Sequence, residues 1–189
     1  PAVGALQRSD GSTRRLRDTE TALEWAEEEL LQEDLAALPP TGHVPLDAQE
    51  LLAELGAEEM AFIRAATEVR TYDQGEVVYD EGDPADALYF VTRGLANIEV
   101  SAGGNRWFRL KTVSAGSAFG ELAIVDGGVR TTRIVSAGIT VCEVLSTVAF
   151  ELLLKCHPGA GDAIFRAIAR SLSCRLRETT REIQALEEG

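Results

Sequence analysis

The 189-residue sequence contains only three cysteines and two histidines, and this scarcity excludes several kinds of site. Cys142, Cys156 and Cys174 are widely spaced, and neither a CxxC pair nor a His cluster accompanies them, so we expect no metal centre. His43 and His157 have no evident nucleophile or metal partner in the sequence, and we expect structural or solvent-facing roles for both. Reduced thiols are typical of cytoplasmic proteins, which is the location we predict.

Basic residues are also scarce, since 18 Lys and Arg against 31 Asp and Glu give a formal net charge of −13. This charge argues against unspecific binding to nucleic acid or to an anionic membrane surface, although one local basic site can still bind a phosphate. No apolar run approaches the roughly 20 residues of a membrane helix, and no signal peptide is recognisable. The first residue is Pro rather than Met, which is expected for a piece of a longer protein.

A Pro-rich stretch divides the chain. A short strand is predicted within Val3–Leu6 and a helix over residues 18–32, DTETALEWAEEELLQ. The stretch LPPTGHVP, residues 38–45, then ends the helix and marks a linker. We therefore expect residues 1–45 to form a separate segment and residues 46–189 to form the main domain.

The main domain is predicted to be built largely from short strands. LDAQELLAELGAEEMAFIRAA first predicts two short helices that join near Gly56. From about residue 67 to 146, runs rich in Val, Ile, Thr and aromatic residues alternate with turn signals, which predicts an antiparallel sandwich or barrel. AGGN between two of the runs is a hairpin signal. The runs are TEVRTY, EVVYDEG, ALYFVTRG, LANIEVSA, RWFRLKTVS, TTRIVSA and TVCEVLS.

Two helices are predicted at the end of the chain, over about residues 148–188. VAFELLLKCHP predicts a helix that Pro158 and Gly159 terminate, and residues 161–188 predict a long amphipathic helix. Its apolar residues, among them Phe165 and Leu176, recur at helical spacing. The long helix either docks on the strands or also pairs with its twin in a dimer, and the sequence leaves both alternatives open.

Residues 119–133, FGELAIVDGGVRTTR, suit an anionic ligand. Backbone N–H groups at the start of a short helix supply donors, and Gly120 lets a ligand approach the backbone. Arg130 can fork onto two phosphate oxygens. Glu121 would repel a phosphate, so it should face a sugar hydroxyl, and the combination suits a sugar phosphate. The alternative is that Glu121 and Arg130 form a plain surface ion pair.

FGELAIVDGGVRT also resembles the phosphate-binding cassette of cyclic nucleotide-binding domains, and GEVVYDEGDPADALYFVTRG matches the family upstream of it. The resemblance covers about residues 46–189. It implies an α+β fold: an antiparallel β-barrel or jelly roll (double-stranded β-helix), with N-terminal helices and a long C-terminal helix that commonly closes over the base. The ligand implied is cAMP, with cGMP as a competitor, and no cofactor is implied.

The resemblance also implies roles for individual residues. In the family the glutamate holds the ribose 2′-hydroxyl and the arginine holds the cyclic phosphate, and these positions are Glu121 and Arg130 here. The amides near Gly120, Leu122 and Ala123 would complete the phosphate cradle. Thr131 is expected to contact a guanine base through its hydroxyl.

This chain departs from the family pattern at three positions. Val129 replaces the usual Pro, Thr132 replaces the usual Ala, and Arg133 follows. The extra methyl and hydroxyl of Thr132 either crowd the pocket or point outward. We therefore compare a regulatory module that binds a cyclic nucleotide with a structural or dimerisation domain of the same fold whose pocket is empty.

Two other functions are disfavoured by the sequence. A related metal-dependent β-barrel enzyme would need a His cluster that the strands lack, so we predict no catalytic residues. A transcription factor like the catabolite activator protein would carry recognition helices after the long helix, and this sequence stops at Gly189.

The segment RDTETALEWAEEELL resembles the closing helix of a STAS domain. Such domains precede cyclic nucleotide-binding domains in bacterial sulfate-permease-type transporters and in some glutaminases. The resemblance implies a linked effector domain as the partner.

Overall fold

The computed structural model describes residues 5–7, 13–15, 42–101, 103 and 106–187. The helix predicted over residues 18–32, and the resemblance to a STAS domain that depends on it, lie outside these residues.

The chain divides into two units, residues 1–42 and 43–189. In the first unit, strand β1 (Ala5–Gln7) pairs antiparallel with β2 (Thr13–Arg15). The strand predicted from the sequence overlaps β1 at two residues, and β2 was not predicted. The division between the units falls inside LPPTGHVP. Val44, near the end of that stretch, donates its N–H to the Thr92 carbonyl and so belongs to the second unit.

The described part of the second unit contains eight antiparallel strands in two four-stranded sheets, with the orders β3-β10-β5-β8 and β4-β9-β6-β7. The sheets pack face to face without closing into a barrel, which is the jelly roll predicted from the sequence. The strands are β3 (Thr67–Tyr72), β4 (Val77–Tyr79), β5 (Ala87–Arg93), β6 (Leu95–Ser101), β7 (Trp107–Ser114), β8 (Ala118–Phe119), β9 (Arg133–Ser136) and β10 (Thr140–Ser146).

All seven strand-like runs in the sequence form strands, and the β6–β7 pairing confirms the hairpin, with Ser101 opposite Trp107. The sequence did not predict β8, because its two residues are too few for an alternating pattern.

Strand β5 is buried on both of its faces. Its side chains alternate, as in any strand. Leu88 and Phe90 pack into a cluster with the helices, whereas Tyr89 and Val91 pack into the cluster between the two sheets. The period of two therefore brings Tyr89 into the interior of the sandwich, close to the candidate site.

Four helices lie in the described part of the second unit: α1 (Ala57–Ala66), α2 (Leu122–Val125), α3 (Thr147–Cys156) and α4 (Pro158–Glu187). Of the two helices predicted around Gly56, the second is α1. The first is instead a pair of 3-10 turns, Leu46–Ala48 and Glu50–Leu52. Gln49 separates them with an extended backbone, because its buried amide Nε2 donates to the Val91 carbonyl at 3.0 Å.

The long helix α4 begins at Pro158, slightly earlier than predicted, because a proline fits the first turn of a helix. Ile164 and Ile168 are buried in the helical cluster, so the first half of α4 docks on the domain. Leu176 is exposed. Pairing of α4 with a second copy stays a prediction. Among the described residues, no helix combines the length and the hydropathy that a membrane span requires.

Candidate functional site

A cleft lies between the end of β8, helix α2 and the segment that leads into β9. It holds about 480 Å³, part of which is open to solvent. Five of the six residues predicted for the site line it: Gly120, Glu121, Leu122, Arg130 and Thr131. The sixth, Ala123, is the second residue of α2. Tyr79, Thr132 and Arg175 also line the cleft, and of these the sequence had singled out only Thr132.

The backbone at Gly120 requires glycine for two reasons. Its φ of 79° lies in the left-handed region that other residues rarely adopt. A Cβ there would also lie 2.7 Å from Arg130 Nη1 and 3.1 Å from the Ala87 carbonyl oxygen. The chain can therefore turn from β8 into α2 directly beside the arginine only because position 120 lacks a side chain.

Helix α2 is a single turn, and its own hydrogen bonds use the amides of Ile124 and Asp126. The first N–H groups of a helix have no acceptor within the helix. The amides of Gly120, Leu122 and Ala123 belong to this early part of the turn. Their role as phosphate donors stays a prediction.

Arg130 is held rigidly in the wall of the cleft and is only 4% exposed. Its backbone N–H donates to the Asp83 carbonyl at 2.8 Å, and its carbonyl accepts from the Gly82 N–H at 2.8 Å. In the side chain, Nη2 donates to the Ala87 carbonyl at 2.9 Å, and Nη1 lies 3.5 Å from the Gly120 carbonyl oxygen. These contacts fix the plane of the guanidinium.

Among the described residues, the carboxylate that pairs with Arg130 lies on the side of the solvent. Nη2 lies 3.2 Å from Asp86 Oδ1, and the Asp86 side chain is 75% exposed. The Nε–H group is buried and has no acceptor among the described residues. A buried, unmatched donor on a cation is costly, and an anion that accepts from it would remove this cost.

Glu121 has a different partner on a distant helix. Its carboxylate is 6% exposed, and Oε1 accepts a hydrogen bond of 2.5 Å from Arg175 Nη1 on α4. Because Glu121 pairs with Arg175 and Arg130 pairs with Asp86, the alternative of a plain surface ion pair between Glu121 and Arg130 is wrong.

Arg175 was not predicted as a site residue, although its helical spacing indicates the face of α4 on which it lies. Arg175 follows Leu172 by three residues, and Leu172 packs against the helical cluster. Residues three apart share a helix face, so Arg175 is turned toward the domain.

Three aromatic rings line the interior next to Arg130. The guanidinium carbon lies 4.1 Å from the centre of the Tyr79 ring and 5.5 Å from that of Tyr89. The rings of Tyr89 and Phe119 stack, with their centres 5.0 Å apart. Burial raises the pKa of Tyr79 above its ordinary range, although the nearby Arg130 lowers it. The Tyr79 hydroxyl therefore stays protonated at neutral pH.

The three departures from the family pattern have different surroundings. Val129 is exposed and forms an isolated β-bridge with Pro84. Thr132 lines the cleft, with its side chain in hydrogen-bonding reach of the Tyr79 hydroxyl. Arg133 is not among the residues of the cleft. Its guanidinium lies 4.9 Å from the centre of the Trp107 ring, and its Nε lies 3.1 Å from a carboxylate oxygen of Asp80.

The two histidines lie in the surroundings that the sequence indicated. His43 is exposed, and the His157 ring packs edge-on against Phe62 with the ring centres 5.9 Å apart. Within the described ranges, no three His, Cys, Asp or Glu side chains come together as metal ligands do.

Comparison with known proteins agrees with this geometry. The family model described as the cyclic nucleotide-binding domain matches residues 69–157, which include most of both sheets and every cleft residue named above except Arg175. The chain belongs to this family. The assignment of Gly120, Glu121 and Arg130 to a phosphate-binding cassette stays a prediction from the sequence.

Relatives of the domain occur in larger proteins. Glutaminase 1 of Bradyrhizobium diazoefficiens is 33% identical over 157 residues, which are 83% of this chain and 25% of the glutaminase. A CRP-like cAMP-activated global transcriptional regulator of Mycobacterium tuberculosis is 29% identical over 137 residues, covering 69% of this chain and 58% of the regulator. The chain thus spans about a quarter of the glutaminase.

A solved structure has the same fold. The crystal structure of a cyclic nucleotide-binding domain from Methylobacillus flagellatus superimposes with a TM-score of 0.65, covering 76% of this chain and 86% of that one at 24% identity. The similarity confirms the jelly roll.

Proposed function

We propose that this domain binds a cyclic nucleotide, preferentially cAMP, and thereby regulates a linked effector. The observation that carries the proposal is the buried Arg130 Nε–H, which lacks an acceptor among the described residues and lies in a residue that lines the cleft. A cyclic phosphate offers one negative charge and two outer oxygens. It would accept from this guanidinium and neutralise it.

The ribose side of the ligand would meet Glu121. A carboxylate beside the phosphate would normally oppose binding, but Arg175 already balances the charge of Glu121. A 2′-hydroxyl can donate to the same carboxylate, which makes a charge-assisted hydrogen bond. The two ends of the sugar phosphate are thus recognised by groups of opposite charge. Thr131, which also lines the cleft, is the group we assign to the base.

Regulation would pass through α4. The Glu121–Arg175 hydrogen bond joins the cassette turn to a residue in the second half of this helix. A hydroxyl that competes for Glu121 changes how firmly Arg175 holds α4 to the domain. The ligand then shifts the equilibrium between two positions of α4, one with and one without the Glu121–Arg175 bond, because its affinity differs between them.

The effector is proposed from the relatives alone. The similarity to Glutaminase 1 supports a glutaminase-type enzyme as the linked domain, and the name of the Mycobacterium regulator supports cAMP as the ligand. We propose that residues 43–189 act as the regulatory unit of such a protein and that residues 1–42 connect it to the rest. A cytoplasmic location stays a prediction from the cysteine content.

One observation favours the second candidate, a structural domain with an empty pocket. Two acceptors, Ala87 O and Asp86 Oδ1, already share Arg130 Nη2. A phosphate must displace Asp86 or use other N–H groups of Arg130.

Calorimetric titration distinguishes the two candidates. We expect saturable heat with cAMP, weaker saturable heat with cGMP, and little heat with 5′-AMP, whose open phosphate has a different shape and charge. A folded chain that gives no heat with either cyclic nucleotide would contradict the proposal and would favour the structural domain.

A further inference from the structure

Tyr79 and Arg130 form the closest contact between a cation and an aromatic ring in the described part of the chain. The guanidinium carbon lies 4.1 Å from the centre of the Tyr79 ring. Both residues are buried, with 9% and 4% of their surface exposed. Such contacts are stronger when water is excluded.

The fold holds the Tyr79 ring in this position from several sides. Tyr79 is the last residue of β4 and pairs with Ile134 of β9, directly after the cassette. Its ring is tilted against those of Tyr89 and Phe119, with centres 5.7 Å and 6.0 Å away. The Thr132 side chain reaches its hydroxyl. The ring therefore has little freedom to turn away from Arg130.

A ring face compensates a guanidinium without using its hydrogen-bond donors. The five N–H groups of arginine lie in one plane, whereas a stacked ring approaches from above that plane. A carboxylate in the same place would occupy the N–H groups that a phosphate needs. Tyr79 thus stabilises the buried charge without using a donor of the guanidinium, and Nε–H still has no acceptor among the described residues.

We propose that Tyr79 is a positioning residue for anion binding, which holds the Arg130 guanidinium by its ring face with the N–H edge toward the cleft. This assignment rests on the proposed function. Burial keeps the pKa of Tyr79 high, so the phenol adds no negative charge beside the phosphate.

The test compares three variants by calorimetry with cAMP. Tyr79→Leu removes the ring face and is expected to weaken cAMP binding by a factor of about 5 to 30, which corresponds to about 1–2 kcal/mol. Tyr79→Phe keeps the ring and is expected to change the affinity by less than about threefold. Tyr72→Leu is the matched control, because Tyr72 is a buried tyrosine of the same cluster that does not line the cleft.

A second measurement detects the stacking of the Tyr79 ring on the Arg130 guanidinium without any ligand. In ¹H–¹⁵N spectra the Arg130 Nε–H proton of the wild type should be shifted upfield by the ring current, and its signal can be assigned by its loss in Arg130→Lys. The shift should persist in Tyr79→Phe and Tyr72→Leu and disappear in Tyr79→Leu. Circular dichroism would show whether each variant is folded.

The outcomes separate this assignment from the proposed function. If the wild type binds cAMP and Tyr79→Leu binds it equally well, or if Tyr72→Leu weakens binding as much as Tyr79→Leu does, the assignment is overturned and the proposed function stands. An Arg130 signal that does not respond to Tyr79→Leu also overturns it. If the wild type binds neither nucleotide, the proposed function fails, and the positioning role for a ligand fails with it.

Discussion

Arg175 Nη1, on helix α4, lies 2.5 Å from Glu121 Oε1, on the turn that precedes helix α2. The two residues are 54 positions apart, so the bond ties the turn before α2 to the C-terminal helix. Glu121 is almost fully buried, whereas about a third of the Arg175 side chain is exposed. Loss of the ion pair should therefore cost more free energy at the buried carboxylate than at the partly exposed arginine.

Replacing Arg175 by Ala should destabilise the unliganded domain. The variant leaves a buried carboxylate without its cation, which is expected to lower the free energy of unfolding by about 1–3 kcal/mol. Urea unfolding measures the change. Arg177→Ala, an exposed arginine of the same helix, is the control and should have little effect. Adding Glu121→Gln to Arg175→Ala should recover part of the loss, and a double variant that is no more stable than Arg175→Ala would contradict this explanation.

Base selectivity should depend on Thr131. Removing its hydroxyl in Thr131→Ala is expected to weaken cGMP relative to cAMP by a factor of about 2 to 12, the value of one hydrogen bond. Competition titrations with both nucleotides measure the ratio. Thr131→Ser keeps the hydroxyl and should keep the ratio. An unchanged ratio in Thr131→Ala would remove Thr131 from this role.

Stability should fall in alkaline solution because several groups are buried in their neutral forms, Cys142 and Tyr72 among them. Burial raises the pKa of the Cys142 thiol from 9.0 to about 12 and that of the Tyr72 hydroxyl from 10.0 to about 12. At a pH between the unfolded and the folded pKa of such a group, the folded chain keeps a proton that the unfolded chain loses. The free energy of unfolding is therefore unaffected below pH 9 and declines as the pH rises toward 12.

The midpoint of urea unfolding, followed from pH 8 to about pH 11, measures this decline. Cys142→Ala should lower the starting stability and decline less steeply than the wild type. Cys156→Ala, which changes an exposed cysteine, should decline as the wild type does. Equal slopes for the wild type and Cys142→Ala would show that the thiol is not responsible.

The grouping of Gly120, Glu121 and Arg130 around one cleft could be predicted from the sequence because its determinants are local. Gly120, Glu121 and Arg130 lie within eleven consecutive residues, and the turn, the short helix and the bend before β9 follow from their immediate neighbours. The seven longer strands of the second unit were likewise predictable, since runs rich in Val, Ile, Thr and aromatic residues are separated by turn signals.

The partners of these residues could not be predicted in the same way. Asp86 and Arg175 approach Arg130 and Glu121 from 44 and 54 residues away, and only the packing of β5 and α4 brings them there. Tyr79 shows no local sign of its contact with Arg130, because a tyrosine at the end of a strand is typical of a core. The split at Gln49 depends on a hydrogen bond to Val91, a partner on another element.

A ligand without its 2′-hydroxyl should reveal the role of Glu121. The wild type is expected to bind 2′-deoxy-cAMP more weakly than cAMP by a factor of about 10 to 150, since a hydrogen bond to a charged group is lost. Glu121→Ala should bind both ligands with affinities that differ by less than about threefold, because the effects of two partners in one bond are not additive. Equal penalties for the deoxy ligand in both proteins would place the 2′-hydroxyl elsewhere.

The measurement that tests the account most directly is the affinity of Arg130→Ala for cAMP, determined by calorimetry beside the wild type and Arg133→Ala. Truncating a buried, hydrogen-bonded charge partner typically costs roughly 2–5 kcal/mol, so Arg130→Ala should bind cAMP about 30 to several thousand times more weakly. Arg133 lies three residues away and is not among the residues of the cleft, so Arg133→Ala should change the affinity for cAMP only slightly. A folded Arg130→Ala protein that binds cAMP as the wild type does would contradict the account, because the phosphate would then be held elsewhere.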